Sequence, residues 1–256
     1  MAKQIKTFNN EFPIRYMGNK RKEFYDIYDN INFDDITTII EPYAGTAAVS
    51  YYISKLHPKK YKYIINDNSK FLIEFYNILK NDDERAIFEK KINDICVDID
   101  KIKYKALDRT LLTTWYIHNK IYSIHPHLFP LNYKYKYISL DGGYVDFLQN
   151  EDITIIYGNG MDIYIKYCDN PNCFIFIDPP YLFCNNSDYE TPQFNIYQHI
   201  AYNNIMLNKA KIMFCLEYSW IIKLLFQHIQ NILVYDIRYE RSKRKTQHAI
   251  MFNYLK

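Results

Sequence analysis

Short apolar, β-branched runs alternate along this chain with longer segments whose apolar residues recur at helical spacing. The runs fall at 36–41, 61–66, 153–157, 173–177 and 211–216, and the spacing predicts helices over 20–31, 46–56, 69–79, 161–167, 197–208 and 220–228. This alternation is the pattern of a mostly parallel sheet wrapped by helices, an α/β fold. Near the end, 232–239 and 247–254 read as two strands joined by the basic turn Arg241-Ser242-Lys243-Arg244-Lys245-Thr246. Sequential strands with so short a connection predict an antiparallel hairpin at the sheet edge. Between about 80 and 150 the rhythm breaks: a helix-like segment at 84–97 gives way to a Tyr-, His- and Lys-rich stretch. A long region without βα rhythm inside a compact domain reads as an insertion. The expected division is therefore a core from 1–80 and 151–256 with an inserted subdomain at 81–150.

Composition narrows the class. A chain of 256 residues, 48% hydrophobic and 24% charged, has the size and balance of one well-filled α/β domain. Its 27 Tyr and 16 Phe, beside abundant Ile, Asn and Lys, follow an AT-rich codon bias, so no single tyrosine is marked as a base-stacking residue by composition. The net charge of +3 is compatible with a polyanionic partner without demanding one. Cys96, Cys168, Cys173, Cys184 and Cys215 are odd in number and form no C-x-x-C pair. They read as scattered thiols in a reducing compartment, with no metal site expected. No apolar run approaches the roughly 20 residues of a membrane span, and the first residues lack a signal-peptide core. An intracellular protein without a membrane partner is expected. Oligomeric state is left open, a monomer being sufficient.

The strongest chemical signal is Phe174-Ile175-Phe176-Ile177-Asp178-Pro179-Pro180-Tyr181. An apolar strand ends in a carboxylate, and two prolines then force the chain out of strand geometry and stiffen the turn. Open α/β sheets bind ligands at the carboxyl ends of their strands. An exocyclic amine has two N–H donors and a lone pair delocalised into its ring. Asp178 and the Pro179 carbonyl can accept both hydrogens and aim that lone pair at an electrophilic methyl. Tyr181 offers a flat ring for a flipped base. The bland alternative is a Pro-rich turn with an incidental Asp.

Three further segments are compatible with a ligand site but do not compel one. In Glu41-Pro42-Tyr43-Ala44-Gly45-Thr46-Ala47-Ala48-Val49 the glycine can let backbone approach a ligand, though a tight turn needs only a small residue. Asp67, about 20 residues after that turn, can accept from ribose hydroxyls, while it or Asn68 can equally cap a helix starting near Ser69. Arg15-Tyr16-Met17-Gly18-Asn19-Lys20-Arg21-Lys22 reads either as a Gly turn whose Lys meets a carboxylate or phosphate, or as a solvated basic helix start.

In this order the segments resemble the Dam-type DNA adenine methyltransferases, of class alpha and including phage members. The resemblance covers 16–20, 41–49, 66–76, 158–162 and 178–181. It implies a Rossmann-like methyltransferase fold, S-adenosylmethionine as methyl donor, double-stranded DNA as partner, and target recognition in the insertion. Carried over by motif, Tyr16, Lys20, Glu41, Gly45, Asp67 and Asp178 would contact the cofactor. Asp178, Pro179, Pro180 and Tyr181 would form the catalytic motif, with Asp178 facing cofactor and target amine alike. Two departures stand out. Ala47 occupies a position where the family often has a second glycine, and 111–143 lacks the family's Arg-Asn-Gly-Phe pattern, so no target sequence transfers. His125 and His127, in that region, read as loop histidines rather than metal ligands. Alternatives are an RNA adenine methyltransferase of the same chemistry and a catalytically silent methyltransferase-fold protein that binds nucleic acid. The basic turn at 241–245 reads either as a phosphate contact or as a solvated tip.

Overall fold

The computed structural model describes residues 19–90, 142–181, 202–238 and 245–255. Its centre is a 7-stranded sheet in the order β3-β2-β1-β4-β5-β7-β6. The strands are β1 (Thr38–Glu41), β2 (Lys62–Asp67), β3 (Ile153–Tyr157), β4 (Cys173–Ile177), β5 (Lys211–Glu217), β6 (Ile232–Arg238) and β7 (Lys245–Phe252). β1 to β5 run parallel, and β7 pairs antiparallel with both β5 and β6. All five residues of β4 are buried, as a parallel strand covered on both faces requires. The chain runs outward from β1 to β3, then returns to β4 and continues the other way. The order therefore reverses between β1 and β4, the point at which open α/β sheets place ligand sites, at the strands' carboxyl ends. The hairpin forms as expected, with β6 rather than β7 at the edge.

Helices α1 (Phe24–Tyr28), α2 (Ala48–Leu56), α3 (Lys70–Lys80), α4 (Gly143–Gln149), α5 (Gly160–Tyr167) and α6 (Trp220–Leu225) cover the sheet, with a 3-10 turn at Tyr202–Leu207. Side chains of α1 to α4 share one buried cluster, and those of α5, the 3-10 turn and α6 share another, one for each face. Several bounds differ from the expected ones for local reasons. α1 begins at Phe24 because residues 20–23 form a turn. α2 begins at Ala48 because Ala47, its N-cap, adopts the left-handed conformation with φ 50° and ψ 38°. α3 starts after Ser69, whose side chain accepts from the Leu72 N–H, a standard hydroxyl cap. α4, inside the stretch read as an insertion, buries Tyr144, Val145, Phe147 and Leu148 against α2 and α3. Among the described residues no helix is long and apolar enough to cross a membrane. Cys173 and Cys215 are buried thiols and Cys168 is half-buried.

Candidate active site

Three adjacent parallel strands, β2, β1 and β4, end in or run into a carboxylate: Asp67, Glu41 and Asp178. The turn after β1 is fixed from several sides. Ala44 N–H donates to the Asn66 carbonyl at 2.8 Å, and Gly45 N–H donates to Asp67 Oδ2 at 2.9 Å. Tyr76 OH donates to the Gly45 carbonyl, Tyr144 OH to the Thr46 carbonyl at 2.8 Å, and Asn19 Nδ2 to Thr46 Oγ1 at 2.8 Å. Gly45 is left-handed, with φ 49°, where a side chain would be strained. The turn thus has one fixed shape, set by side chains from α3, α4 and the N-terminal turn. Asp67 also accepts the Ser69 N–H at 2.9 Å, so it braces the β1 turn and the start of α3 together. Burial raises its pKa, against the opposing backbone N–H bonds from Ser69, Gly45 and Asn68.

Glu41 is buried at the end of β1 and accepts the Ser50 N–H of α2 at 2.7 Å. Loss of solvent pushes its carboxyl up to about 7, against the bonds from Ser50, and the negative charge of Asp178 adds to the rise. At the end of β4, Lys20 Nζ lies 2.7 Å from Asp178 Oδ2 and donates to Tyr181 OH at 3.0 Å. Tyr181 OH in turn donates to Asp178 Oδ1 at 3.3 Å. The ammonium is 4% exposed and the carboxylate side chain 15%, so this is a pair largely withdrawn from water. Burial opposes the Lys20 charge, yet Asp178 and Glu23 hold its pKa well above the ordinary lysine value. Burial lifts the Asp178 carboxyl, with Lys20 pulling against it. Pro179 is buried and Pro180 and Tyr181 are half-buried.

Residues 16–111 match the family model of D12 class N6 adenine-specific DNA methyltransferases. The match spans Lys20, Glu41, Gly45 and Asp67 and bears out the resemblance to the Dam-type enzymes. Asp178–Tyr181 lie beyond it. No curated protein matches the chain. Among solved structures, the chain is similar to a human methyltransferase 10 domain containing protein, at 8% identity and TM-score 0.41, covering 91% of this chain and 80% of that one. It is also similar to the N-terminal domain of human METTL16 in complex with SAH, at 8% identity and TM-score 0.39, covering 91% and 68%. A third is a precorrin-6y C5,15-methyltransferase from Geobacter metallireducens, at 8% identity and TM-score 0.40, covering 98% and 93%. The fold assignment rests on the strand order itself: a mostly parallel, Rossmann-like sheet with an antiparallel C-terminal hairpin.

The structure brings Lys20, Asp178 and Tyr181 into one group, and Gly45 and Asp67 into another, with Glu41 between them in the strand order. Tyr16, His125, His127 and the basic residues 241–244 lie outside the described residues. The solvated reading of the 20–22 segment does not hold for Lys20, which is buried. Sequence reasoning missed Glu23, Tyr235, Cys215 and His248, which pack behind the Asp178 group. Their signal was a lone His inside an apolar strand and an acid inside a basic run.

Proposed function

We propose that the chain is a site-specific DNA adenine methyltransferase. It would transfer a methyl group from S-adenosylmethionine to the exocyclic amine of an adenine turned out of duplex DNA. The observation that carries this reading is the half-buried Asp178 at the end of β4, ion-paired by the buried Lys20 at 2.7 Å, with Tyr181 beside it at the strand-order reversal. The D12 match supports adenine as the base and DNA as the polymer.

The residues present fit the cofactor. Asn66 Oδ1 is a buried oxygen without a hydrogen-bond partner at the carboxyl end of β2, and a Cβ on Gly158 would lie 3.3 Å from it. Glu41 is a buried carboxyl poised to ionise when a cation arrives. Gly45 offers a turn without a side chain. In this reading Lys20, Glu41, Gly45, Asp67 and Asp178 hold the cofactor, and Tyr16 is assigned with them by motif. When bound, S-adenosylmethionine supplies a methyl on a positively charged sulfur, which is electrophilic without metal assistance.

The protein's own residues supply orientation and electrostatics. Lys20 opposes the burial that raises the Asp178 carboxyl and fixes the direction of its carboxylate before the base enters. Asp178 and the Pro179 carbonyl accept the two amine hydrogens, which directs the nitrogen lone pair at the methyl. Tyr181, its hydroxyl held by Lys20, presents its ring to the base. We assign 1–80 and 151–256 to catalysis and 81–150 to target recognition, with α4 anchoring the end of that segment in the core. An intracellular setting with duplex DNA as partner completes the reading.

The test is labelled-methyl transfer to duplex DNA and to RNA in parallel. Wild type is expected to label DNA, and Asp178→Ala to label neither while still binding DNA within a few-fold of wild type. Labelling of RNA alone would move the reading to the RNA enzyme. Calorimetry showing no binding of S-adenosylmethionine or its demethylated product would move it to the silent protein.

A further inference from the structure

Glu23 is a second acid beside Lys20, and nothing in the transfer chemistry uses it. It closes the turn after Lys20, donating its N–H to the Lys20 carbonyl at 3.1 Å. Its carboxylate, 13% exposed, accepts from Tyr235 OH at 2.5 Å and lies 3.2 Å from His248 Nδ1. Burial pushes that carboxyl up, but the Lys20 charge and the bonds from His248 and Tyr235 outweigh it and hold it at about 2. His248 is 2% exposed on β7, and its ring meets the Tyr181 ring edge-on, with centroids 5.1 Å apart at 84°. One imidazole therefore touches both the second acid and the motif tyrosine.

A buried ammonium that pairs with one carboxylate and lies in the field of a second can be drawn toward either. We propose that His248, with Tyr235, is a positioning residue: it engages Glu23 so that the Lys20 ammonium stays on Asp178. The inference rests on the reading of Asp178 as the residue that receives the target amine. Burying several charges here is a weak source of stability, since an apolar set of the same volume commonly serves as well or better. What the polar set does supply is a single location for the Lys20 charge. Glu23, Cys215 and His248 also bring an oxygen, a sulfur and a nitrogen within 4.8 Å of one another, a set that could hold a metal ion. The Lys20 ammonium, whose field reaches both Glu23 and Cys215, opposes a dication there. The cluster is better described as a hydrogen-bond network carrying its own cation.

The consequence differs from that of a purely structural role. In His248→Gln the Glu23 charge is less well engaged and draws Lys20 away from Asp178. A displacement of about 1 Å at a reacting group costs on the order of a hundredfold in rate. The variant should lose 10- to 100-fold in kcat, by that same estimate, with KM for S-adenosylmethionine changed less than about threefold. Adding Glu23→Gln removes the competing charge, so the double variant should regain most of the lost kcat, a coupling opposite in sign to two independent losses. Tyr235→Phe, with and without Glu23→Gln, gives the same comparison with one hydroxyl removed, and decides the matter if His248→Gln does not fold. A double variant as slow as the single, or singles with wild-type kcat, overturns the proposal. Asp178→Ala run alongside separates the two levels. Activity surviving in Asp178→Ala overturns the underlying reading as well. Activity lost there but unchanged in the His248 and Tyr235 variants overturns the positioning role alone.

Discussion

Glu41 couples the site to pH through stability. Its folded carboxyl sits at about 7, against 4.5 for the ordinary group, so the folded state prefers it protonated. That preference stabilises fully below the ordinary value and is lost as pH rises through about 7. Glu41→Gln mimics the protonated form and removes the dependence. The stability of wild type relative to this variant should therefore fall by on the order of 2 kcal/mol between pH 5 and 8, read by denaturant unfolding at each pH. A constant difference would show that Glu41 is already ionised throughout. Ala47 poses a different question, because it sits at φ 50° with no exposure. Glycine there would relieve roughly 1 kcal/mol of left-handed strain and lose a buried methyl worth about 0.8 kcal/mol. Ala47→Gly should thus leave stability nearly unchanged, which explains why alanine is tolerated at a position suited to glycine. Ala47→Val adds β-branching at positive φ in a filled space and should cost about 2 kcal/mol or more by thermal unfolding. Asp178 was legible because its motif carries its own chemical rationale, whereas Lys20 was singled out only through the family resemblance of its segment. Glu23 and His248 were not: the ends of a long-range pair are 225 residues apart, and neither stands in a local pattern.

Among the elements, the junctions decide the site more than the helices and strands do. α5 begins at Gly160, where a Cβ would meet the Tyr43 ring at 2.6 Å and the Pro42 carbonyl at 2.8 Å. The backbone of the β1 turn and the start of α5 are therefore in direct contact. Gly160→Ala must push that turn aside and should destabilise by about 1–3 kcal/mol, together with weaker cofactor binding. Gly158→Ala, whose nearest neighbour lies 3.3 Å away, should cost clearly less. Urea midpoints of the two variants check the order, and equal midpoints would contradict the contact. Strand positions were legible because β1 and β4 are short, apolar and buried on both faces. Helix starts were less so. The N-cap of α2 is an alanine in a conformation that sequence gives no reason to expect, and residues 20–23 form a turn whose two ends, Lys20 and Glu23, point into the site.

At the scale of the whole molecule, the alternation of strands and helices gave the α/β class, and the late hairpin gave the antiparallel edge. The insertion of β7 between β5 and β6 was not legible, since no local pattern distinguishes which of two hairpin strands faces inward. That placement matters, because it brings His248 of β7 against Tyr181 and Glu23 and so ties the last strand to the first turn. α4 likewise joins the core from within a stretch that breaks the rhythm, and its Tyr144 reaches back to the turn after β1. The turn at 20–23 and strand β7 meet beside the reversal between β1 and β4. The most direct test of this account is single-molecule sequencing of DNA from methylation-free cells expressing the wild-type chain or Asp178→Ala. Wild type is expected to leave N6-methyladenine in one sequence context, and the variant none. Unmodified adenine in DNA from cells making the folded, cofactor-binding wild-type protein would contradict it.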